Sequence, residues 1–320
     1  MAILVTGGAG YIGSVAVDDL VAAGEQVAVI DNLSRGHRDA VNEQAAFYEG
    51  NIGDVGLVKQ ICREQRVTAA MHFSAYAYVG ESVERPDIYY QNNVVQTAKL
   101  LDALRDSDVR QFVFSSTCAT YGEPIRVPID ETHPQSPTNP YGRTKLMVEH
   151  ILGDYNRAFG IKFVALRYFN ACGATEKRVE RHDPETHLIP LVLDAASGAL
   201  EYLSIFGNDY PTPDGTAIRD YIHVSDLSSA HLLALRYLQN GGDSDAFNLG
   251  NGTGFSVLQV VEAANSVTGR DVPYRMEPRR PGDPSRLIAN AEKAASILGW
   301  RPQHTDLSSI VESAWRARQT

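Results

Sequence analysis

Short apolar runs alternate with longer amphipathic stretches over the first half of the chain, and this alternation is the strongest constraint on its fold. The runs, rich in β-branched residues, cover residues 3–5, 27–30, 69–73, 112–115 and 163–167. The stretches with helical periodicity cover residues 12–23, 55–66, 87–105 and 140–159. Near-continuous apolar strands separated by helices are typical of a parallel sheet covered on both faces. The sequence therefore predicts an α/β fold with a doubly wound parallel sheet.

A glycine-rich segment, VTGGAGYIG, joins the first predicted strand to the first helix. Gly7, Gly10 and Gly13 have the Gly-x-x-Gly-x-x-Gly spacing, a variant of the dinucleotide fingerprint. Such glycines permit close approach of a pyrophosphate to the backbone, and the helix N-terminus offers it N–H donors. Asp31 ends the second strand, where a carboxylate accepts from a ribose 2′-hydroxyl and repels a 2′-phosphate. We predict a Rossmann-type domain that binds NAD rather than NADP, with the nearby Arg35 as a solvated loop charge.

The pattern changes after about residue 170, where charged residues, proline and loop-forming residues become more frequent. Long polar loops carry function in many enzymes. We predict an NAD-binding domain over residues 1–169 and a smaller C-terminal substrate-binding lobe over residues 170–320. The runs RDYIHV and AFNLG, within residues 217–250, are expected to return strands to the first domain.

Composition restricts the partners and the location of the chain. Its net charge of −10 argues against nucleic acid or an anionic membrane as the main partner, and no apolar run is long enough to span a bilayer. Three scattered cysteines predict neither a disulfide framework nor a zinc site, and the histidines form no metal pattern, so no metal is expected. The N-terminus does not resemble a secretory signal. We expect a cytoplasmic protein with free thiols.

A phenol and an ammonium group are predicted to lie together on one helix face. In NPYGRTK, Pro140 begins a helix on which Tyr141 and Lys145 are one turn apart. SSTCATYGEP puts hydroxyl groups, ending with Thr117, at the carboxyl end of a strand, where open α/β sheets bind ligands. A hydroxyl, a Tyr-x-x-x-Lys pair and a dinucleotide loop form one constellation. It favours a phenol that ionises near neutral pH because a cation is close.

These residues resemble the extended short-chain dehydrogenase/reductase family, and within it the 4-epimerases of UDP-sugars. The resemblance runs the length of the chain. It rests on GGAGYIGS, DNLSRG, HFSAYAYVGESV, YYQNNV, SSTCATYGEP, NPYGRTK, RYFNACGA, ETHLIPLV, IFGNDYPTPDGTAIRDYIHVSDL, NLGNGTGFSV and PRRPGD.

The resemblance implies NAD-dependent inversion of C4 of UDP-glucose or UDP-galactose through a 4-keto intermediate. Tyr141 is then the phenolate base, Lys145 favours its ionised form and binds the nicotinamide ribose, and Thr117 hydrogen-bonds the 4-oxygen. The resemblance places at the cofactor Gly7, Gly10, Tyr11, Ile12, Gly13, Asp31, Asn32, Leu33, Ser34, Asn51, Ile52, Phe73, Ser74, Asn92, Ser115, Tyr141, Lys145, Tyr168 and Phe169. It places at the UDP-sugar Thr117, Tyr141, Asn170, His187, Leu188, Phe206, Arg219, Arg280, Asp283 and Leu287.

The sequence departs from the family pattern at three positions that bear on specificity. Ala77 stands where many members have lysine, His187 where some have asparagine, and Leu287 where a tyrosine or a small residue is common. The sugar therefore stays open between glucose/galactose, xylose/arabinose and an N-acetylated pair. A dehydratase would need an Asp-Glu pair after Thr117, whereas Cys118 and Ala119 follow it here.

Two further alternatives are a dehydrogenase that releases NADH and an inactive NAD-binding module. The inactive module would be expected to have lost Tyr141, Lys145 or Thr117, and all three are present. A homodimer is also expected by the resemblance, with the helices over residues 87–105 and 140–159 at its two-fold axis.

Overall fold

A parallel β-sheet forms the centre of the protein in a computed structural model that describes residues 2–280 and 282–319. Within those ranges the strands are β1 (Ala2–Thr6), β2 (Gln26–Asp31), β3 (Ala46–Glu49), β4 (Val67–His72), β5 (Gln111–Thr117), β6 (Lys162–Tyr168), β7 (Asn170–Cys172), β8 (Leu203–Phe206), β9 (Ile218–Arg219), β10 (Tyr221–His223), β11 (Asp245–Leu249), β12 (Phe255–Ser256), β13 (Tyr274–Glu277) and β14 (Arg286–Leu287). The central sheet has the order β11-β6-β5-β4-β1-β2-β3, and all its strands run parallel.

Helices cover both faces of this sheet, as the alternation in the sequence predicts. The α-helices of the described residues are α1 (Tyr11–Ala22), α2 (Val55–Gln65), α3 (Val79–Glu84), α4 (Pro86–Tyr89), α5 (Gln96–Asp106), α6 (Pro140–Phe159), α7 (Leu188–Ser197), α8 (Val224–Gln239), α9 (Val257–Thr268) and α10 (Leu307–Arg316). Of these, α7, α9 and α10 pack in the C-terminal lobe and not on the central sheet. The Rossmann-type, doubly wound fold is confirmed.

Successive residues of each strand point to opposite faces and enter two separate cores. Val5 and Val29 belong to the core beneath α1 and α8, whereas Leu4 and Ile30 belong to the core beneath α2, α5 and α6. This double burial explains why the strands are apolar along their whole length rather than at alternate positions.

Three elements differ from the sequence expectation. The edge strand β3 was not predicted, because its residues are only partly buried and its apolar pattern is weak. The helix predicted over residues 87–105 consists of α4, a π-helical turn at Tyr90–Val95, and α5. β10 pairs with β7 in a separate small sheet, whereas β11 lies beside β6 in the central sheet. The boundary between the two domains stays a prediction, and residues 1 and 320 lie outside the described part of the chain.

A smaller C-terminal lobe is built from α7, α9, α10 and short strand pairs around its own apolar core, which includes Val192, Val261 and Ile310. Its loops face the carboxyl ends of the central strands. Across residues 2–280 and 282–319, the helices lack the combined length and hydropathy needed to cross a bilayer.

Candidate active site

One large cavity lies where the carboxyl ends of the central strands meet the C-terminal lobe. Its volume is about 1520 Å³, and a pocket for one drug-sized ligand typically has roughly 300–1,000 Å³. The cavity therefore has room for two nucleotide-sized ligands. It is lined by nearly all the residues predicted to bind cofactor or substrate: Gly7, Gly10, Tyr11, Ile12, Gly13, Asp31, Asn32, Ser34, Asn51, Ile52, Phe73, Ser74, Asn92, Thr117, Tyr141, Lys145, Tyr168, Phe169, Asn170, His187, Leu188, Phe206, Arg219, Arg280, Asp283 and Leu287.

Leu33 and Ser115 were predicted at the cofactor and do not line the cavity. Leu33 packs against the core beneath α1, and its backbone N–H donates to Asp31 Oδ1 over 2.9 Å. Ser115 lies 1% exposed within the sheet, and its carbonyl oxygen accepts from Lys145 Nζ over 2.8 Å. Both residues hold side chains that do line the cavity.

The glycine loop leaves the N-terminus of α1 open toward the cavity. Gly7 has φ +73°, and a Cβ on Gly13 would lie 2.2 Å from the carbonyl oxygen of Gly7, so a larger residue cannot replace Gly13 without moving the backbone. Gly10 caps α1 without a side-chain hydrogen bond to its first N–H groups. Uncapped N–H groups and the positive end of the helix suit a pyrophosphate.

Asp31 is held rigidly at the end of β2. Its Oδ2 accepts from Ala9 N over 3.0 Å and its Oδ1 from Leu33 N over 2.9 Å, and the residue is 7% exposed. Burial raises the pKa of Asp31, and the two backbone hydrogen bonds oppose this effect. A fixed carboxylate at this place suits a ribose diol and disfavours a 2′-phosphate.

Tyr141 and Lys145 lie on the buried face of α6, whose N-cap Asn139 accepts from Gly142 N over 2.9 Å. The Thr117 hydroxyl lies close enough to the Tyr141 phenol to lower the pKa of that phenol. Lys145 Nζ lies 6.0 Å from the centroid of the Tyr141 ring. Phenol, hydroxyl and ammonium thus converge on the cavity from two elements of the sheet domain.

The electrostatics of this group differ from the sequence expectation. Burial raises the pKa of the Tyr141 phenol, the neighbouring Tyr168 raises it further, and the Thr117 hydroxyl opposes both. Burial lowers the pKa of Lys145 to about 7, against an opposing effect of Glu149. The protein by itself therefore keeps the phenol protonated, because desolvation outweighs a cation that is itself only partly charged near neutral pH.

Glu149 lies one further turn along α6 and anchors that helix to the sheet. Its carboxylate accepts from Arg167 NH2 over 2.6 Å and from Ser116 Oγ over 2.5 Å, and the exposed fractions of the Arg167 and Glu149 side chains are 8% and 7%. Arg167 NH1 also donates to the hydroxyl of Tyr121 over 3.0 Å. This buried ion pair fixes the position of α6, and with it the orientation of Tyr141 and Lys145.

Two cations lie on the opposite side of the cavity. Arg219 pairs with Asp283, and its NH1 donates to the carbonyl oxygen of Ile218 over 2.9 Å. The Arg280 guanidinium lies 3.9 Å from the centroid of the Phe206 ring. Guanidinium groups match diphosphate oxygens in shape and charge, so this side suits a nucleoside diphosphate.

Sequence reasoning missed a group of residues where the segment over 175–187 meets the first domain. Arg35 was predicted to be solvated, but its NH2 pairs with Glu81 Oε1 over 2.7 Å and its Cζ lies 4.8 Å from the Tyr78 ring centroid. His187 Nδ1 lies 2.9 Å from Oε1 of both Glu180 and Glu185. Burial lowers the pKa of His187, but its hydrogen bonds with the two glutamates prevail and raise it to about 10. Apart from His187, which the resemblance placed at the UDP-sugar, sequence reasoning did not single out these residues, because their pairing depends on how the loop folds.

The residues present fit NAD. The uncapped helix N-terminus, the close packing at Gly7 and Gly13 and the fixed carboxylate of Asp31 provide the anion site and the ribose acceptor that the dinucleotide needs. Lys145 and Tyr141 lie farther along the same cavity, where the nicotinamide half would reach.

Comparison with known proteins agrees with this site. Residues 3–250 match the model of the NAD dependent epimerase/dehydratase family. The chain is 51% identical to UDP-glucose 4-epimerase of Lacticaseibacillus casei over 317 residues, which are 98% of this chain and 96% of that protein. It is 53% identical to UDP-glucose 4-epimerase of Streptococcus mutans over 319 residues, covering 98% and 96% of the two chains.

The fold is also closely similar to that of a solved structure. UDP-glucose 4-epimerase from Brucella ovis, in complex with NAD, superposes with a TM-score of 0.96 at 49% identity, covering 98% of this chain and 97% of that one. The family match extends over more than half of the chain, and the relatives extend over nearly all of it. The chain therefore belongs to the NAD dependent epimerase/dehydratase family.

Proposed function

We propose that this protein inverts C4 of a UDP-sugar, interconverting UDP-glucose and UDP-galactose through a 4-keto intermediate with NAD bound. The observation that carries the proposal is one continuous cavity. It joins the dinucleotide loop, the Tyr141–Thr117–Lys145 group and the Arg219 and Arg280 side chains. Relatives with about 50% identity are named UDP-glucose 4-epimerase.

NAD⁺, when bound, supplies a hydride acceptor and a positive charge beside the sugar C4. Tyr141 takes the proton of the 4-hydroxyl, and the nearby Thr117 hydroxyl orients that hydroxyl by hydrogen bonding to it. Lys145, one helical turn away, stabilises the phenolate by its charge. When the 4-keto group is reduced from its other face, Tyr141 returns the proton to the oxygen. The sugar is neither oxidised nor reduced overall.

Inversion requires the keto sugar to present its second face without leaving. On the nucleotide side, Arg219 and Arg280 would hold the diphosphate while the hexose turns. Near the sugar, we expect the cavity wall to include the partly buried Leu287, whose side chain offers no hydrogen bond to resist that rotation.

The rival dehydratase reaction lacks its acid. Cys118 and Ala119 line the cavity after Thr117, and burial raises the pKa of the Cys118 thiol to about 12. Neither side chain can protonate a departing hydroxyl near neutral pH.

A panel of UDP-sugars distinguishes these reactions. Purified protein without added NAD should convert UDP-galactose into UDP-glucose, and no NADH should accumulate in stoichiometric amount. Release of one NADH per sugar would instead indicate a net dehydrogenase, and loss of water from the sugar a dehydratase. UDP-xylose belongs in the panel, because a pentose lacks C6 and should fit wherever a hexose fits.

We infer a homodimer formed through the α4–α5 and α6 surfaces. Val95, on the π-helical turn between α4 and α5, and Met147, on α6, are 40% and 42% exposed. A two-fold axis would bring each of these apolar side chains into the interface twice. The matched Val95→Glu and Met147→Glu variants should elute at the mass of one chain by light scattering, whereas Ile297→Glu, a change of another exposed apolar residue, should not alter the mass. A wild-type protein of one-chain mass contradicts the dimer.

A cytoplasmic location is proposed as well. The free thiols of Cys62, Cys118 and Cys172 suit a reducing compartment. Fractionation of the source cells tests it.

A further inference from the structure

Four side chains of the types that bind metals converge over residues 180–187, the part of the segment over 175–187 that lines the cavity. Glu180, His182, Glu185 and His187 each offer one ligand atom, and these four atoms all lie within 4.8 Å of one another. Oε1 of Glu180 lies 2.9 Å from Nδ1 of His182 and 2.9 Å from Nδ1 of His187. Oε1 of Glu185 lies 2.9 Å from the same His187 atom. The spacing Glu-x-His-x-x-Glu-x-His was not recognised as a metal pattern in the sequence.

These separations are close to those of a tetrahedral metal site. Zn²⁺ bonds to histidine nitrogen and carboxylate oxygen are about 2.0–2.1 Å long, so neighbouring ligand atoms in a tetrahedron are about 3.3 Å apart. Three of the separations between the four ligand atoms are 2.9 Å, close to this value, and none exceeds 4.8 Å. Two imidazoles with two carboxylates suit Zn²⁺ and similar divalent transition metals, whereas Mg²⁺ and Ca²⁺ prefer oxygen ligands.

The two carboxylates of the site are buried, whereas the side chains of His182 and His187 are 24% and 38% exposed toward the cavity. The Glu180 side chain is 6% exposed and that of Glu185 is 15% exposed. Glu185 Oε1 is oriented by the backbone N–H groups of Thr186 and His187, which donate over 2.7 and 2.8 Å. A ligand carboxylate held by backbone donors keeps its direction when a metal binds.

A buried hydroxyl group beside the cluster gives a second, independent indication. The Tyr78 side chain packs against His182 and His187, with ring centroids 5.6 and 6.3 Å apart, and the residue is 7% exposed. Among residues 2–280 and 282–319, its phenol oxygen has no hydrogen-bond partner, although it interacts electrostatically with Glu185 and Glu180. A buried hydroxyl normally has a partner. A water molecule hydrogen-bonded to one of the ligand carboxylates would provide one.

We propose that Glu180, His182, Glu185 and His187 bind one divalent transition-metal cation of the Zn²⁺ class. The cation replaces the protons shared between imidazoles and carboxylates, which are released to solvent. His187 then acts as a metal ligand rather than as a direct contact of the sugar nucleotide. The inference does not depend on the proposed epimerase activity.

The position of the cluster defines what the metal does. The same segment is tied to the first domain by Arg178, which pairs with Asp18 over 2.7 Å, and by Arg181, which pairs with Asp39 over 2.7 Å. Arg35 NH1 also donates to the carbonyl oxygen of Asp183 over 3.0 Å. The metal fixes the part of this segment that faces the cavity and so acts as a structural clamp.

Metal content measured on the full-length protein tests the proposal. Protein as purified is treated with a chelator, loaded with Zn²⁺ at pH about 8, where proton competition is weak, and gel-filtered before elemental analysis. Wild type should retain about one Zn²⁺ per chain. Its thermal midpoint should rise by roughly 4–8 °C when free Zn²⁺ is about 100-fold above its Kd. Mg²⁺ at the same concentration should change neither value.

Matched single-histidine variants provide the control. His182→Gln should retain less than about a tenth of the metal and lose the thermal shift, whereas His150→Gln, at an exposed position of α6, should match wild type. Equal metal content in both variants and wild type would mean adventitious binding and overturn the proposal. If His182→Gln does not fold, the visible spectrum of Co²⁺-loaded wild type decides. Intense bands of a four-coordinate nitrogen and oxygen site support the proposal, and a weak octahedral or a thiolate spectrum overturns it.

Discussion

At the scale of single residues, Tyr141 shows how burial and function oppose each other. Its position on α6 is determined by the helix start at Asn139-Pro140, which the sequence predicts correctly. The direction of its pKa shift could not be predicted, because desolvation depends on how completely the fold buries the phenol. A phenol that stays protonated until positive charge accompanies the ligands avoids an unpaired buried anion.

Removing the Tyr141 hydroxyl tests its proposed part in proton transfer. Tyr141→Phe should lower kcat by a factor on the order of 10² or more, because the base is lost while the ring still fills its place. NAD content and the circular dichroism spectrum should stay as in wild type. Tyr274→Phe, at a residue 45% exposed on the C-terminal lobe, should retain full activity. If Tyr141→Phe keeps more than half of the wild-type kcat, Tyr141 is not the base and another residue takes the proton.

Leu287 is the residue that we expect to restrict the sugar. Its side chain packs beside Phe169 and Ala289 and lines the cavity. Its carbonyl oxygen accepts from Asp220 N over 3.0 Å, and strand pairing sets it opposite Arg219, so its backbone cannot shift easily. An N-acetyl group would have to fit here in both orientations of the keto sugar, and one or two carbons of excess size cost about 1–3 kcal/mol.

Discrimination between hexose pairs tests this restriction. Wild type should turn over UDP-N-acetylglucosamine with kcat/KM at least about tenfold below that for UDP-glucose, and Leu287→Ser should narrow the gap. Leu258→Ser, at a partly buried leucine of α9 outside the cavity lining, serves as the matched control. Equal kcat/KM for both sugars in wild type would mean that Leu287 does not restrict the size of the sugar. The epimerase proposal would not be affected.

At the scale of elements, one buried face of α6 carries both the proposed catalytic residues and the residue that anchors the helix to the sheet. Tyr141, Lys145 and Glu149 follow each other at intervals of one turn, all buried, and Val148 and Leu152 continue the same face into the core. The first two were recognisable from the sequence by their motif. Glu149 was not, because its importance comes from Arg167 on β6, a partner that only the fold brings near.

Removing the charge of Glu149 should show how much the Glu149–Arg167 pair contributes to the stability of the fold. Glu149→Gln should lower the free energy of unfolding by about 3 kcal/mol, because it leaves the buried Arg167 guanidinium without its counter-charge. Asp154→Asn, which breaks an exposed pair with Arg157 on the same helix, should change it by less than about 0.5 kcal/mol. Urea unfolding of the two variants gives the comparison, and similar losses would mean that the buried pair has no special role.

Elements set by local pattern were predicted well, and those set by distant contacts were not. The helix over residues 140–159 agrees with α6 at both ends because it has an Asn-Pro start and a left-handed Gly160 at its end. The π-helical turn at Tyr90–Val95 carries no comparable signal. The loop holding Glu180 and His187 was likewise unpredictable, since its order comes from pairs with the first domain.

At the scale of the whole molecule, the active-site cation affects the pH dependence of global stability. Lys145 is 3% exposed, and burial lowers its pKa from 10.5 to about 7. Between these two pH values the unfolded chain binds a proton that the native chain has released. The contribution of Lys145 to stability is thus fully present above pH 10.5, declines as the pH falls, and is absent below about pH 7.

Comparison with an uncharged variant isolates this effect, since all other groups titrate in both proteins. From pH about 7 to about 9, the free energy of unfolding of nucleotide-free wild type should rise relative to that of Lys145→Met by roughly 1 kcal/mol per pH unit. Lys99→Met, on α5, should titrate in parallel with wild type. Urea unfolding at each pH gives the three curves. A constant difference between wild type and Lys145→Met would mean that the native lysine keeps its charge, so that the phenol of Tyr141 has a full cation beside it before any ligand binds.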